Sequence, residues 1–369
     1  MQDGSFDITT VDCDAENTDI ILRRGINLGC VKLGKRRSQS DQARQLWEQN
    51  RPIFLPAMLA HALPQYVAEI ARSKALYDAV INEAAVEDLL DSSPYVELLA
   101  NRFQILSSRF DEADPQEIIS VDFDVMDGDM VLMEDIWMRI SWLSFHEEDA
   151  SCRFRFSFGM ENFDDVSEDP QRQLAAAELS QRIFPESAIV TEHASLRSIL
   201  NDILKVSSFH FVERIIYFNA KNGGAQFHHD AEKGHLGVVY AQVSGETFWL
   251  ALSREQLMDE ITLFMSDADN VNALKADMND DVAFQRFVRA LKQNLSEVIN
   301  DPANEEISVL LNESRRFFGQ LVTRGYAYHL EAGDVILLPQ ATMDDCAWHS
   351  VFCVGDEAGE ALSFAIKAA

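Results

Sequence analysis

Long apolar runs are missing from this chain: no stretch approaches the roughly 18 consecutive apolar residues of a membrane-spanning helix. The opening MQDGSFDITTVDCDAENTD is acidic where a secretory leader would be basic and then apolar. Together these absences give the expectation of a soluble, cytoplasmic protein with no membrane partner. Cysteine is also scarce. Cys13, Cys30, Cys152, Cys346 and Cys353 make an odd count without a CxxC pair, which fits neither a secreted disulfide framework nor a zinc ribbon, so reduced thiols are expected. Basic charge is short too: 31 Lys and Arg stand against 61 Asp and Glu, a formal net charge of −30. Such a surface repels phosphate backbones, so no nucleic-acid partner is expected. Solubility accounts for the acidity, and attraction of a cationic substrate is the sharper alternative. Internal repeats and low-complexity tracts are absent as well.

What is present suffices for a substantial core. With 369 residues and 47% apolar content, the chain can form one large decorated domain or two smaller ones. From Pro64 to about Leu90 the pattern is helical, with Val67, Ile70, Ala71 and Leu76 at helix spacing. That stretch leads residues 1–135 to be read as a largely helical region that caps the rest or offers a dimer surface. Period-two alternation then predicts a hairpin, Ile136 to Phe145 and Cys152 to Phe158 about a turn at 147–151, with Phe154, Phe156 and Phe158 on one face and Arg153, Arg155 and Ser157 on the other. Asp169-Pro170 caps a helix to about Ile183, and a shorter helix follows over Ser195 to Leu204. Strand character marks Phe211 to Asn219 and Val238 to Leu250, with a turn at Gly245. About seventy helical residues intervene, opened by the capping-box pattern Ser253 to Gln256 and carrying a stripe from Phe284 to Val298. Strands resume from Tyr326 to Ile366. The economical architecture is a β-barrel-like core over 136–369 with a helical insert at about 254–322.

Within this frame His228 and Asp230 are the first residues that point to chemistry. An HxD pair alone is weak, because a chain with nine histidines contains on the order of one by chance. On a strand, however, residues i and i+2 face the same side, so one imidazole and one carboxylate can address a common point while His229 points away. A third ligand from a distant strand would complete a facial triad with positions left open on the metal.

The segment Gly224-Ala225-Gln226-Phe227-His228-His229-Asp230, followed by Gly245-Glu246-Thr247-Phe248-Trp249-Leu250, resembles the JmjC/cupin-like hydroxylases, in which HxD precedes a strand and a Gly-x-x-x-W-x-L hairpin. Gly333-Asp334-Val335-Ile336-Leu337-Leu338-Pro339 is similar to their G-D-h-h-h-h-P turn, and Trp348-His349-Ser350-Val351 to the W-H-S-V that carries the distal ligand. The resemblance covers roughly 210–255 and 325–367. It implies an α+β fold on a double-stranded β-helix (cupin or jelly-roll) core, and a triad of His228, Asp230 and His349 holding Fe(II). It also implies 2-oxoglutarate as cosubstrate, O2 as oxidant, and hydroxylation of a small amino-acid-derived metabolite or a peptide side chain.

Two positions depart from the family pattern. Family members commonly place a Lys two residues after the hairpin Gly to bind the distal carboxylate of 2-oxoglutarate, and Thr247 stands there instead. A buried carboxylate needs a cation or several donors, so Lys367 is the first replacement, Arg155 the second, and Tyr217 or Thr247 could add a hydroxyl. The span from Pro339 to His349 is also five residues too long, and a strict count lands on Asp344. His349 lies in apolar, strand-like surroundings and gives the two-His, one-carboxylate set that suits Fe(II), whereas 341–345 reads as an inserted polar loop. The missing Lys keeps open a metal-dependent cupin, an isomerase or a dioxygenase, that does not use 2-oxoglutarate. A non-catalytic scaffold would have no need of three convergent ligands.

Overall fold

The computed structural model describes residues 9–11, 20–24, 26–32, 38–109, 117–142, 150–159, 169–232, 234–301 and 304–369. Strands β1 (Thr9–Val11), β2 (Ile20–Arg24) and β3 (Ile26–Lys32) form a three-stranded sheet in the order β1-β3-β2. Helix α1 (Ala43–Glu48) leads to β4 (Ile53–Leu55), and α2 (Val67–Ile81), α3 (Val86–Leu90) and α4 (Tyr95–Leu99) follow. Then come β5 (Phe103–Arg109), β6 (Glu117–Asp127), β7 (Met130–Trp142) and β8 (Cys152–Phe158). Residues 1–135 therefore hold strands as well as helices, which corrects the expectation of a largely helical region. The strands of 117–142 carry acidic residues among their apolar ones, and this blurs the alternation in the sequence. Strands β7 and β8 pair antiparallel as the hairpin reading requires, Ile136 opposite Phe158 and Arg139 opposite Arg155. The continuation to Phe145 and most of the turn lie outside the described residues.

Helices α5 (Pro170–Ile183), α6 (Ala188–Thr191) and α7 (Ala194–Leu204) precede β9 (Phe209–Asn219), β10 (Gly224–His228), β11 (His235–Gln242) and β12 (Glu246–Ser253). Asp169 caps α5 by accepting from the backbone of Gln171 and Arg172, ahead of a proline that gives up no needed donor. The insert is α8 (Arg254–Ser266), α9 (Ala268–Met278), α10 (Asp281–Asn300), α11 (Glu305–Asn312) and α12 (Arg315–Thr323). The capping box of Ser253 and Gln256 is formed in both directions. Strands β13 (Ala327–Glu331), β14 (Val335–Pro339), β15 (Ala347–Cys353) and β16 (Gly359–Ala368) complete the chain.

Two large antiparallel sheets result, one of four strands in the order β10-β15-β12-β13 and one of nine in the order β4-β14-β11-β16-β9-β8-β7-β6-β5. The insert leaves β12 and returns to β13, its direct neighbour, so seventy residues are accommodated without disturbing the pairing. Strands β11, β14 and β16 are buried on both faces. Val239, Leu337, Leu362 and Phe364 join an apolar cluster with Phe154, Phe156, Leu179 and Leu200 under α2 to α7. Their alternate neighbours Val238, Tyr240, Leu338 and Ala365 join a second cluster with Trp249, Phe248 and the insert's Phe317. Burial on both sides explains why these strands read as unbroken apolar runs.

The expected hairpin at Gly245 is corrected by the topology. Strand β11 pairs with β14 and β16, β12 pairs with β13 and β15, and the turn carries the chain from one sheet to the other. Gly245 sits at φ +67°, and a Cβ there would lie 2.6 Å from Gly359 Cα, so only glycine allows this crossing. Cys152, Cys346 and Cys353 are free and buried, but Cys30 is disulfide-bonded. The expectation of reduced thiols fails there, because an odd count excludes complete pairing and not a single bridge. Among the described residues no helix is long and apolar enough to cross a membrane.

Candidate metal centre

Strand β10 runs antiparallel to β15 and places His228 directly opposite His349. Asp230 follows just beyond the end of β10. Ligating atoms of His228, Asp230 and His349 all lie within 4.8 Å of one another. His228 Nε2 is 3.5 Å from one Asp230 oxygen, and His349 Nε2 is 3.6 Å from the other. The two imidazole centroids are 4.2 Å apart. Asp344, the rival third ligand, is 80% exposed and faces Arg254 at 3.5 Å. The five residues 341–345 are all exposed, so the long spacing is a surface loop that leaves β15 in place.

The surroundings orient each group. His228 Nδ1 lies 2.6 Å from the Gln226 carbonyl; as a donor there it turns Nε2 toward Asp230, the usual arrangement for a metal-binding imidazole. The Asp230 backbone donates to Gln340 Oε1 (3.3 Å), and Gln340 Nε2 donates to the Ala347 carbonyl at the start of β15 (2.8 Å). Trp249 stacks on the buried His349 ring at 5.2 Å and 18°. Behind β10, the buried Arg24 of β2 donates to the Ala225 carbonyl, to Ser350 Oγ (2.6 Å) and to Asn312 Oδ1 (3.0 Å), while Asn312 Oδ1 also accepts from the Phe227 backbone (2.8 Å). The N-terminal sheet and the insert thus both brace the strand that carries His228.

Electrostatics favour a cation at this point. Burial pushes the Asp230 carboxyl up, but His349 and His228 beside it more than offset that and hold it well below the usual carboxylate range. Burial drives His349 down to about 3, so it is a neutral imidazole at physiological pH. Burial also lowers His228, yet the hydrogen bond and charge of Asp230 and the Gln226 carbonyl leave it above its ordinary value. One anion and two imidazoles form a donor set for a divalent transition metal rather than for a hard, all-oxygen ion.

The triad opens on a cavity of about 330 Å³ whose walls include Arg153, Tyr217, Asn219, Tyr240, Trp249 and Ser363. Of the proposed cosubstrate contacts, only Tyr217 lines it. Lys367 shares the face of Ser363 on β16 but lies four residues, or roughly 13 Å, farther along the strand, beside Gly234 and opposite His235. Thr247 is buried and its hydroxyl is occupied: it donates to Gln242 Oε1 (2.8 Å) and accepts from Trp249 Nε1 (3.0 Å). Arg155 donates through Nε (3.0 Å) and a terminal nitrogen (2.9 Å) to Glu213. The cation the sequence reading passed over is Arg153. It pairs with Tyr217 across β8 and β9, donates Nε to Ser141 Oγ at 3.2 Å, and is in no ion pair among the described residues. Burial raises the Tyr217 hydroxyl above its ordinary value, so it remains a donor.

No family model matches the chain, and no curated protein does. Among solved structures the chain aligns with an oxidoreductase of the 2OG-Fe(II) oxygenase family from Burkholderia pseudomallei, at 12% identity over 90% of each chain and a TM-score of 0.32. It also aligns with the Escherichia coli ribosomal oxygenase YcfD, at 10% identity over 74% of this chain and 42% of that one, with a TM-score of 0.25. A further YcfD structure, in complex with cobalt and succinic acid, matches at 11% identity over 75% of this chain and 44% of that one, with a TM-score of 0.23. The chain thus spans less than half the length of the YcfD chains.

Proposed function

We propose that this chain is a non-haem Fe(II), 2-oxoglutarate-dependent oxygenase built on a double-stranded β-helix, the four-stranded sheet facing β14, β11, β16 and β9 of the larger one. The observation that carries the reading is the convergence of His228, Asp230 and His349 on a cavity that Arg153 also lines. Three protein donors of this kind suit Fe(II) and leave coordination positions for other ligands. When bound, the metal and 2-oxoglutarate would supply the activation of O2, with the cosubstrate oxidised to succinate and CO2 while one oxygen atom enters a substrate C–H bond.

The chain's own residues do the rest. Gln226 fixes the His228 tautomer, Gln340 ties Asp230 to β15, and Trp249 covers the face of His349 and keeps water from it. Arg153 and Tyr217 offer a cation and a hydroxyl to the distal carboxylate, the role that Thr247 is too committed to fill. With that part of the cavity filled, the remaining space suits a small metabolite or a single peptide side chain.

Purified protein given Fe(II) and 2-oxoglutarate without substrate is expected to form succinate slowly, because the open metal site still admits O2. Production no higher than that of His228→Ala, in wild-type protein shown to contain iron, would overturn the oxygenase reading. Stoichiometric Fe(II) binding without 2-oxoglutarate affinity would instead select a metal-dependent cupin that does not use it.

A further inference from the structure

A second cavity, of about 270 Å³, lies away from the triad between α5, α7 and the start of β9. Its walls include Arg197 and Arg214, the rings of Phe209 and Phe211, and Gln173 and Thr191, with no Asp or Glu among them. In a chain of net charge −30, two guanidiniums on one acid-free cavity need a physical account. Neither forms an ion pair among the described residues.

Arg214 is poorly provided for. A β-bulge separates Arg214 from Val212 in the pairing with β16, and Glu213 within it has φ +44°. The bulge sends Glu213 to the far face, where it serves Arg155, and leaves Arg214 on the face covered by α5. There one terminal nitrogen donates weakly to the Ala177 carbonyl (3.2 Å) and Ser180 Oγ (3.3 Å). Its buried Nε has no hydrogen-bond partner. The guanidinium lies 5.4 Å from the centroid of Phe364, a contact that offsets only part of the loss of water around a charge. Burial lowers it to about 10, so it stays charged. Arg197 donates to the Thr191 carbonyl at 3.1 Å and stacks over Phe209 at 5.0 Å. These neutral partners leave both cations short of an anion. A buried arginine kept only for packing would be replaced by an apolar residue without loss.

We propose that this cavity binds a small oxyanion, a carboxylate or phosphate group on a metabolite-sized molecule, between Arg197 and Arg214. The volume sits at the lower end of small-molecule sites, and planar guanidiniums match the paired oxygens of either group. The site is independent of the metal centre.

Isothermal titration with inorganic phosphate, phenyl phosphate and benzoate at fixed ionic strength tests the idea, and the ranking of the three separates phosphate from carboxylate ligands. Saturable binding of at least one probe is expected, weakened tenfold or more by Arg214→Met and by Arg197→Gln. Arg153→Met, at the metal cavity, should leave it unchanged, and Fe(II) binding should be unchanged in both arginine variants. If Arg214→Met does not fold, Arg197→Gln at the rim carries the test alone. No saturable heat with any probe, equal affinity in wild type and the arginine variants, or loss of binding in Arg153→Met would each overturn the proposal.

Discussion

At the scale of single residues, the centre divides into what the order of amino acids can state and what only the fold can. His228 and Asp230 are legible as an HxD pair at the end of a strand, although Asp230 falls just past β10, where the Gln340 side chain rather than the strand period holds it. His349 is legible because its apolar neighbours mark a strand re-entering the core after the polar insertion at 341–345. The choice between Arg153 and Arg155 was not legible, since both stand on the same face of β8. It turns on how far the cavity reaches along the strand and on a bulge in β9 that presents Glu213 to Arg155 and none to Arg153. A charge-assisted hydrogen bond to a carboxylate contributes about 1.5 to 3 kcal/mol, which corresponds to roughly tenfold or more in apparent affinity. Arg153→Met is therefore expected to raise the 2-oxoglutarate concentration for half-maximal succinate formation by about that factor while leaving Fe(II) binding intact. Lys367→Ala and Arg155→Ala should not share the effect. A rise with Lys367→Ala alone would return the anchor to β16.

At the scale of elements, apolar periodicity announced most strands but not which sheet each would join. Strands β11 and β12 are consecutive and both apolar, so a hairpin was the natural reading. Their separation rests on the close approach of Gly245 to Gly359, a contact between positions more than a hundred residues apart. A similar approach governs β10. Gly224 sits at φ +132°, and a Cβ there would fall 2.0 Å from the Val351 carbonyl oxygen, two residues from His349. Backbone cannot swing aside as a side chain can, so Gly224→Ala must push β10 away from β15. We expect it to destabilise the protein by about 2 to 4 kcal/mol and to weaken Fe(II) binding, because β10 carries His228. Gly128 also has positive φ, at +60°, but meets open space; Gly128→Ala should cost only about 1 to 2 kcal/mol, the left-handed penalty alone, with Fe(II) binding unchanged. Urea unfolding and iron titration of the pair provide the comparison. Equal losses in the two variants would mean that the contact between β10 and β15 is not what holds the strand.

At the scale of the whole molecule, the excess of acid predicts solubility and says nothing of the two carboxyls that the fold takes out of water. Glu186 and Glu360 are 0% and 1% exposed. Ser73 Oγ donates to Glu360 Oε2 at 2.7 Å, and a hydrogen bond between the Glu186 and Glu360 side chains couples the two acids. Arg72 is the nearby cation, and burial pushes the neighbouring Tyr95 hydroxyl up to about 12, so it does not ionise near neutrality. Burial raises both acids above the ordinary carboxylate value, and repulsion from Glu186 adds to the rise at Glu360. Two carboxyls placed like this cannot both ionise cheaply. A group whose value is higher in the folded chain stabilises it fully below the unfolded value of 4.5, and that contribution is lost as pH climbs through the folded value. Relative to Glu360→Gln, the wild-type protein is thus expected to lose urea stability as pH climbs above about 5. Surface carboxylates are already ionised across this range and contribute little to the slope. Glu360→Gln, which removes one of the two acids and its repulsion from the other, should flatten the profile and exceed wild type at the alkaline end. A variant that is weaker than wild type at every pH and keeps the same slope would show that the buried pair does not set the pH dependence.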